Sequence, residues 1–197
     1  IHWRDGALLP TEQQVALALK AAPSNVPVLE IAAKIQAAKR NYEEAISLYN
    51  RAIAINPTHD ALVGLGDLYA LTGREDEAEK TYQRVVRLHT EHTHSGDDHE
   101  HSHIHGNAQL ARFYADHDRN LDDAVREAEQ AYETFKNVFG VDTLAWCYYK
   151  KGLYEKARDM VSQALRWKTP DAAIFFHASQ IHAKLGDASS ARKYLNR

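Results

Sequence analysis

Five alanines recur along the chain at nearly constant spacing and constrain its fold more than any other feature. Ala45, Ala78, Ala124, Ala157 and Ala191 are separated by 33, 46, 33 and 34 residues. A small side chain once per period allows two antiparallel helices to approach closely at that point. Self-similarity at such a period is typical of stacked helical units, each of which needs its neighbours to bury its apolar face. The spacing therefore predicts an array of helical pairs.

The clearest period lies at residues 64–86, GLGDLYALTGREDEAEKTYQRVV. Leu62, Leu65 and Tyr69 fall on one helical face at three- and four-residue steps. Gly73 follows where the chain turns between helices and a left-handed residue is useful. The pattern resembles that of the tetratricopeptide repeat (TPR) family, a helical hairpin of about 34 residues.

The resemblance extends over residues 26–197, because the other periods repeat parts of the same pattern in register. It implies an all-α fold, a right-handed TPR superhelix (α-solenoid) of about five helix-turn-helix repeats plus an N-terminal helix. The Trp position of the family is never Trp here, and the Leu-Gly pair is intact only at Leu65. The predicted segments are an N-terminal segment with a capping helix at 1–25 and repeats at 26–58, 59–88, 106–138, 139–171 and 172–197.

The spacing of 46 residues between Ala78 and Ala124 locates an insertion of about twelve residues in the 34-residue register. It contains HTEHTHSGDDHEHSHIH, residues 89–105, which holds seven of the twelve histidines. Helices are expected to end near Leu88 and to begin again near Gly106. The sequence therefore predicts a histidine-rich loop at 89–105 between the second and third repeats.

Alternate histidines of an extended segment point to one side, about 6.5–7 Å apart, so that two rings can converge on one ion. Neutral imidazole is a ligand for zinc, nickel and copper. Two alternatives stay open: a solvated loop that binds metal incidentally, and a pH-responsive loop, because histidine ionises near about pH 6.5. The candidate ligands are His92, His94, His99, His101, His103 and His105.

The TPR resemblance implies that the first helices of successive repeats line a concave groove. Aromatic and cationic side chains dominate the energetics of such interfaces. Asparagine is absent from the groove positions, which argues against the family's clamp for a peptide carboxylate. The candidate partner-binding residues are Lys34, Asp67, Arg112, Trp146, Tyr149, Lys150, Phe176 and Lys184.

Other functional classes find no support in the sequence. A formal charge of −3 without a Lys/Arg stripe argues against nucleic acid. The chain has no run of eighteen apolar residues, so direct insertion into a membrane is not expected. There is no glycine-rich phosphate loop or nucleophile motif, so no enzyme activity and no required cofactor are expected. The single cysteine, Cys147, leaves the compartment open between cytoplasm, periplasm and the outside of the cell.

Two hypotheses of different classes follow. The favoured one is a non-catalytic protein-protein interaction scaffold that binds a peptide or partner protein in the concave groove. The alternative is a metal-handling or metal-sensing adaptor that binds Zn, Ni or Cu through the histidine-rich loop.

Overall fold

The structure is a computed structural model that describes the backbone of residues 8–92, 100–134 and 136–197 and the side chains of residues 12–90, 107–134 and 136–197. Over these residues the chain is helical and forms no strand. None of the helices there combines the length and apolar character needed to cross a membrane. The helices are α1 Leu8–Ala21, α2 Val26–Ala38, α3 Tyr42–Ile55, α4 His59–Leu71, α5 Glu75–His92, α6 Glu100–Asp116, α7 Leu121–Thr134, α8 Val138–Lys150, α9 Tyr154–Arg166, α10 Ala172–Lys184 and α11 Ala188–Leu195.

The helices fall into two compact units, Ile1–Thr90 and Glu91–Arg197. In the first unit α1 packs on α2, α2 packs on α3, and α3 packs on α4. In the second unit α6 pairs with α7, α8 with α9, and α10 with α11, and the first helices α6, α8 and α10 also contact one another in sequence. The all-α fold of stacked helical pairs expected from the sequence is therefore confirmed.

The repeated alanines lie where the helices of a pair come together. Ala45, Ala124 and Ala157 have no exposed surface, Ala78 is 2% exposed and Ala191 is 9% exposed. Their burial is consistent with the close-approach role predicted from their spacing. A longer side chain at such a buried position would have to displace the groups packed around it.

Glycine serves the same purpose at Gly66 on α4. A Cβ atom at this position would collide with the ring of Tyr82 on α5. The Tyr82 hydroxyl donates a hydrogen bond of 2.9 Å to Asp67 on α4. The ring of Tyr82 thus occupies the space left by the missing Cβ of Gly66, and its hydroxyl group links α5 to α4.

Two residues after the first helix of each pair ends, one residue has left-handed backbone conformation. Gly73, Gly152 and Gly186 have φ of 76°, 82° and 79°, and Arg40 and Asp118 hold the equivalent positions with φ of 64° and 51°. The N–H of each donates to the carbonyl three residues back at 3.0–3.4 Å, and the next N–H donates to the carbonyl five back at 2.8–3.0 Å. This is the Schellman closure, so the left-handed turn predicted at Gly73 is confirmed.

The histidine-rich stretch is less of a loop than the sequence suggested. Helix α5 continues to His92 instead of ending near Leu88, and α6 begins at Glu100 instead of near Gly106. Residues 93–99 lie outside the described part of the chain. The extended geometry assumed for residues 101–105 is therefore wrong, because their backbone is helical. A sequence marks the end of a helix by the loss of apolar residues at helical spacing. Polar, histidine-rich turns that continue the helix lack such residues and are therefore missed.

The left-handed turn after α8 should be sensitive to any side chain. Apart from Gly152 and its two neighbours in sequence, no described residue has an atom within 4 Å of a Cβ built on Gly152, so Gly152→Ala introduces backbone strain and no collision. The free energy of unfolding should fall by about 1 kcal/mol. Left-handed strain lowers the stability, and the smaller conformational entropy of the unfolded alanine variant offsets part of that loss. Urea denaturation followed by circular dichroism measures it. Lys151→Ala, at the preceding residue with φ of −76°, is the control, and equal losses in both variants would contradict this account.

Candidate functional site

A carboxylate and an imidazole form a buried pair in the second unit. His177 on α10 and Asp142 on α8 are 2% and 3% exposed. The His177 Nδ1 atom lies 2.9 Å from both Asp142 oxygens. A carboxylate only accepts hydrogen bonds, so Nδ1 is the donor. The contact joins two first helices across 35 residues of sequence.

Arg112 on α6 completes the contact from the other side. Its Nη2 lies 3.1 Å from His177 Nε2, and its Nη1 donates to Asp142 at 3.4 Å. A guanidinium only donates, so Nε2 must accept. His177 is therefore the neutral tautomer that carries its proton on Nδ1. Both nitrogens of the imidazole and both oxygens of the carboxylate thus have a hydrogen-bond partner within this contact.

Asp116 and Trp146 extend these contacts towards the surface. Arg112 Nε donates to Asp116 at 2.9 Å, and Trp146 Nε1 donates to the other Asp116 oxygen at 2.7 Å. Trp146 is only 7% exposed, and its ring stacks on His177 with centroids 4.2 Å apart. We call Arg112, Asp116, Asp142, Trp146 and His177 the buried polar network. It connects α6, α8 and α10.

Aromatic rings continue outward from Trp146. Tyr149 stacks on it with centroids 4.8 Å apart, and the ring of Phe176 lies 6.0 Å away. Phe176 is 47% exposed although it is large and apolar. The ammonium of Lys150 lies 5.5 Å from the centroid of the Trp146 ring and 2.7 Å from Asp118. We call Trp146, Tyr149 and Phe176 the aromatic face.

The predicted partner-binding residues divide between the two units. Contacts in the second unit bring Arg112, Trp146, Tyr149, Lys150 and Phe176 together, and Lys184 follows as an exposed residue on α10.

The first unit contains the other two. Lys34 pairs with Asp60 at 3.0 Å across a largely exposed contact, and Asp67 accepts from Tyr82.

Two central residues were not among the predicted site residues. They are Asp142 and His177, the two members of the buried pair. The sequence holds only a weak indication of this pair, namely a carboxylate and a histidine on consecutive first helices. Such groups require hydrogen-bond partners where they are buried. Only the three-dimensional structure shows that each is the other's partner.

The predicted metal ligands remain untested by the structure. His94 and His99 lie among residues 93–99, and the side chains of His92, His101, His103 and His105 are outside the described set as well. Within the side chains that are described, no group of three or more His, Cys, Asp or Glu is placed to hold a metal ion. Metal binding by the histidine-rich stretch therefore stays a prediction.

Cys147 lies beside the buried polar network on α8 and has no exposed surface. Its Sγ contacts the carbonyl oxygen of Ala111 at 3.6 Å. Burial raises the pKa of the Cys147 thiol to about 12, although the charge of Arg112 acts in the opposite direction. The thiol is consequently a packed apolar group and not a nucleophile.

Comparison with known proteins supports the interpretation of the repeats. A model of the tetratricopeptide repeat matches residues 36–94. No curated protein matches the chain in sequence.

Several solved structures share the fold. A tetratricopeptide repeat protein from Parabacteroides merdae is 16% identical with a TM-score of 0.55, covering 97% of this chain and 72% of that one. PilW, a type IV pilus biogenesis factor, is 16% identical with a TM-score of 0.57, covering 95% and 82%. BtubC from P. vanneervenii is 18% identical with a TM-score of 0.54, covering 98% and 90%. At these identities the similarity concerns the fold.

The members of the buried pair should be energetically coupled. Asp142→Ala removes the acceptor of His177 and leaves Arg112 less compensated. We expect a loss of about 2–4 kcal/mol, below the usual upper range because Arg112 remains partly in water. His177→Ala should cost a similar amount. The double variant should lose less than the sum by at least ~1 kcal/mol, which a double-mutant cycle by urea denaturation measures.

The matched control for this cycle is the exposed pair Lys34–Asp60, whose side chains are 47% and 55% exposed. Its coupling should stay below about 1 kcal/mol, as for surface ion pairs. Losses for Asp142 and His177 that simply add within about 0.5 kcal/mol would show that the two residues act independently.

The thiol of Cys147 reports on the integrity of the second unit. At pH 8 iodoacetamide should modify it at least about 100-fold more slowly in the native protein than in urea, because burial suppresses both access and ionisation. Since its pKa is raised, the thiolate fraction of the native protein becomes appreciable only as the pH approaches 12. Mass spectrometry of the time course measures the rate. Equal rates in buffer and in urea would disprove the burial of this thiol.

Proposed function

We propose that this chain, which is a tetratricopeptide repeat protein, is a non-catalytic scaffold that holds a peptide or a segment of a partner protein against the aromatic face. The proposal rests mainly on Phe176, which is about half exposed although it is a large aromatic residue in contact with Trp146. Exposed aromatic side chains beside a packed aromatic core are typical anchors of protein interfaces.

The buried polar network supports this proposal because it fixes the rings of the aromatic face. Trp146 is held by a hydrogen bond from its Nε1 to Asp116 and by stacking on His177. Tyr149 and Phe176 pack on a ring that is already immobilised. A surface ordered before binding loses less conformational entropy when a partner arrives.

The charges around the aromatic face favour aromatic packing over recognition of an anion. Lys150 pairs with Asp118, and Arg112 with Asp116 and Asp142. These cations are largely compensated within the protein, so a carboxylate or phosphate would compete with internal acceptors. The partner that fits best is a segment that brings an apolar or aromatic side chain to Phe176 and Tyr149.

Replacing the exposed ring should weaken such binding. Peptides selected from a random library against the native protein should bind Phe176→Ala at least about tenfold more weakly, which corresponds to ~1.4 kcal/mol. The loss arises because the partner's side chain no longer packs on the ring. Fluorescence anisotropy of labelled peptides measures the affinity.

Trp167→Ala is the matched control, since Trp167 is 51% exposed at the end of α9, the second helix of its pair. Its affinity for the same peptides should remain within about twofold of the native value. Selected peptides that bind both variants like the native protein would exclude the aromatic face as the binding surface.

A further inference from the structure

Two histidines of different helices meet in the first unit. His59 is the first residue of α4, and His89 lies one turn before the end of α5 at His92. His59 Nδ1 lies 2.8 Å from His89 Nε2, and the rings are nearly perpendicular, with centroids 5.0 Å apart. Both residues are half-buried. The two nitrogens of this contact thus face each other at the edge of the repeat pair.

This geometry is close to that of a shared metal ion. Zinc binds imidazole nitrogen at about 2.0–2.1 Å, so two ligands at a tetrahedral angle are separated by roughly 3.3 Å. The nitrogens of His59 and His89 are 2.8 Å apart, so they must separate by about 0.5 Å. A small rotation of two half-buried rings supplies that change. The inserted ion would replace the proton that now joins the rings.

We propose that His59 and His89 form a two-imidazole site for a borderline divalent metal ion of the Zn²⁺, Ni²⁺ or Cu²⁺ class. Imidazole ligands suit these ions and not Mg²⁺ or Ca²⁺, which prefer oxygen. No larger donor cluster occurs among the described side chains, so water or other donors complete the coordination. His89 is the first residue of the histidine-rich stretch, but His59 lies 30 residues before it, which distinguishes this site from binding by the stretch alone.

The site is tested by removing the other six histidines of the stretch as competing ligands. In the full chain, His92, His94, His99, His101, His103 and His105 are replaced by glutamine together. This background should still bind one equivalent of Ni²⁺ in isothermal titration. Adding His59→Gln or His89→Gln should weaken that binding at least about tenfold, since even loss of an outer-shell partner costs 10–100-fold.

The matched control in the same background is His182→Gln. His182 is another partly buried histidine, hydrogen-bonded at 3.2 Å to Asp187, and its loss should leave the affinity for Ni²⁺ unchanged. Circular dichroism confirms that each variant is folded. The proposal is overturned if the background binds no Ni²⁺, or if folded His59→Gln and His89→Gln variants bind it as the background does.

Discussion

The close approach of paired helices is the constraint on which the rest of this structure depends. Two helices approach each other most closely where one of them presents a methyl group or a hydrogen. Ala124, Ala157 and Gly66 provide this at the crossing points. A closely packed pair then presents one helix to the next pair, so that α6, α8 and α10 lie side by side. The contacts between Arg112, Asp142 and His177 exist because of this order.

The buried polar network is better explained by orientation than by stability. Buried charges lose their hydration, and apolar residues of similar size often serve stability equally well. Burial of Asp142 and His177 carries that cost. They lie between helices α8 and α10, which apolar packing alone would allow to slide past each other. Since their hydrogen bonds are directional, they favour one arrangement of α8 and α10. The exposed ring of Phe176 is held in a defined position by its contacts with Trp146 and His177, which are both buried.

Sequence reasoning succeeded where one residue carries the physical requirement by itself. An alanine at a helix crossing or a glycine such as Gly73 in a left-handed turn can be recognised locally. It failed where the requirement is shared between distant residues. His177 finds its acceptor 35 residues away, and nothing local in either segment identifies that partner. The helical backbone at residues 100–105 was missed for another reason, because histidine-rich turns carry no apolar period.

The hydrogen-bond directions around His177 also restrict how this protein can change over evolutionary time. Arg112 can only donate, Asp142 can only accept, and the imidazole between them does one of each on opposite sides. An amide at Asp142 would turn an N–H group towards a donor, and an amide at Arg112 could not supply all three hydrogen bonds that the guanidinium donates. An amide at His177 could still donate on one side and accept on the other. Substitutions at Asp142 and Arg112 should therefore depend on each other over evolutionary time, whereas position 177 is less restricted.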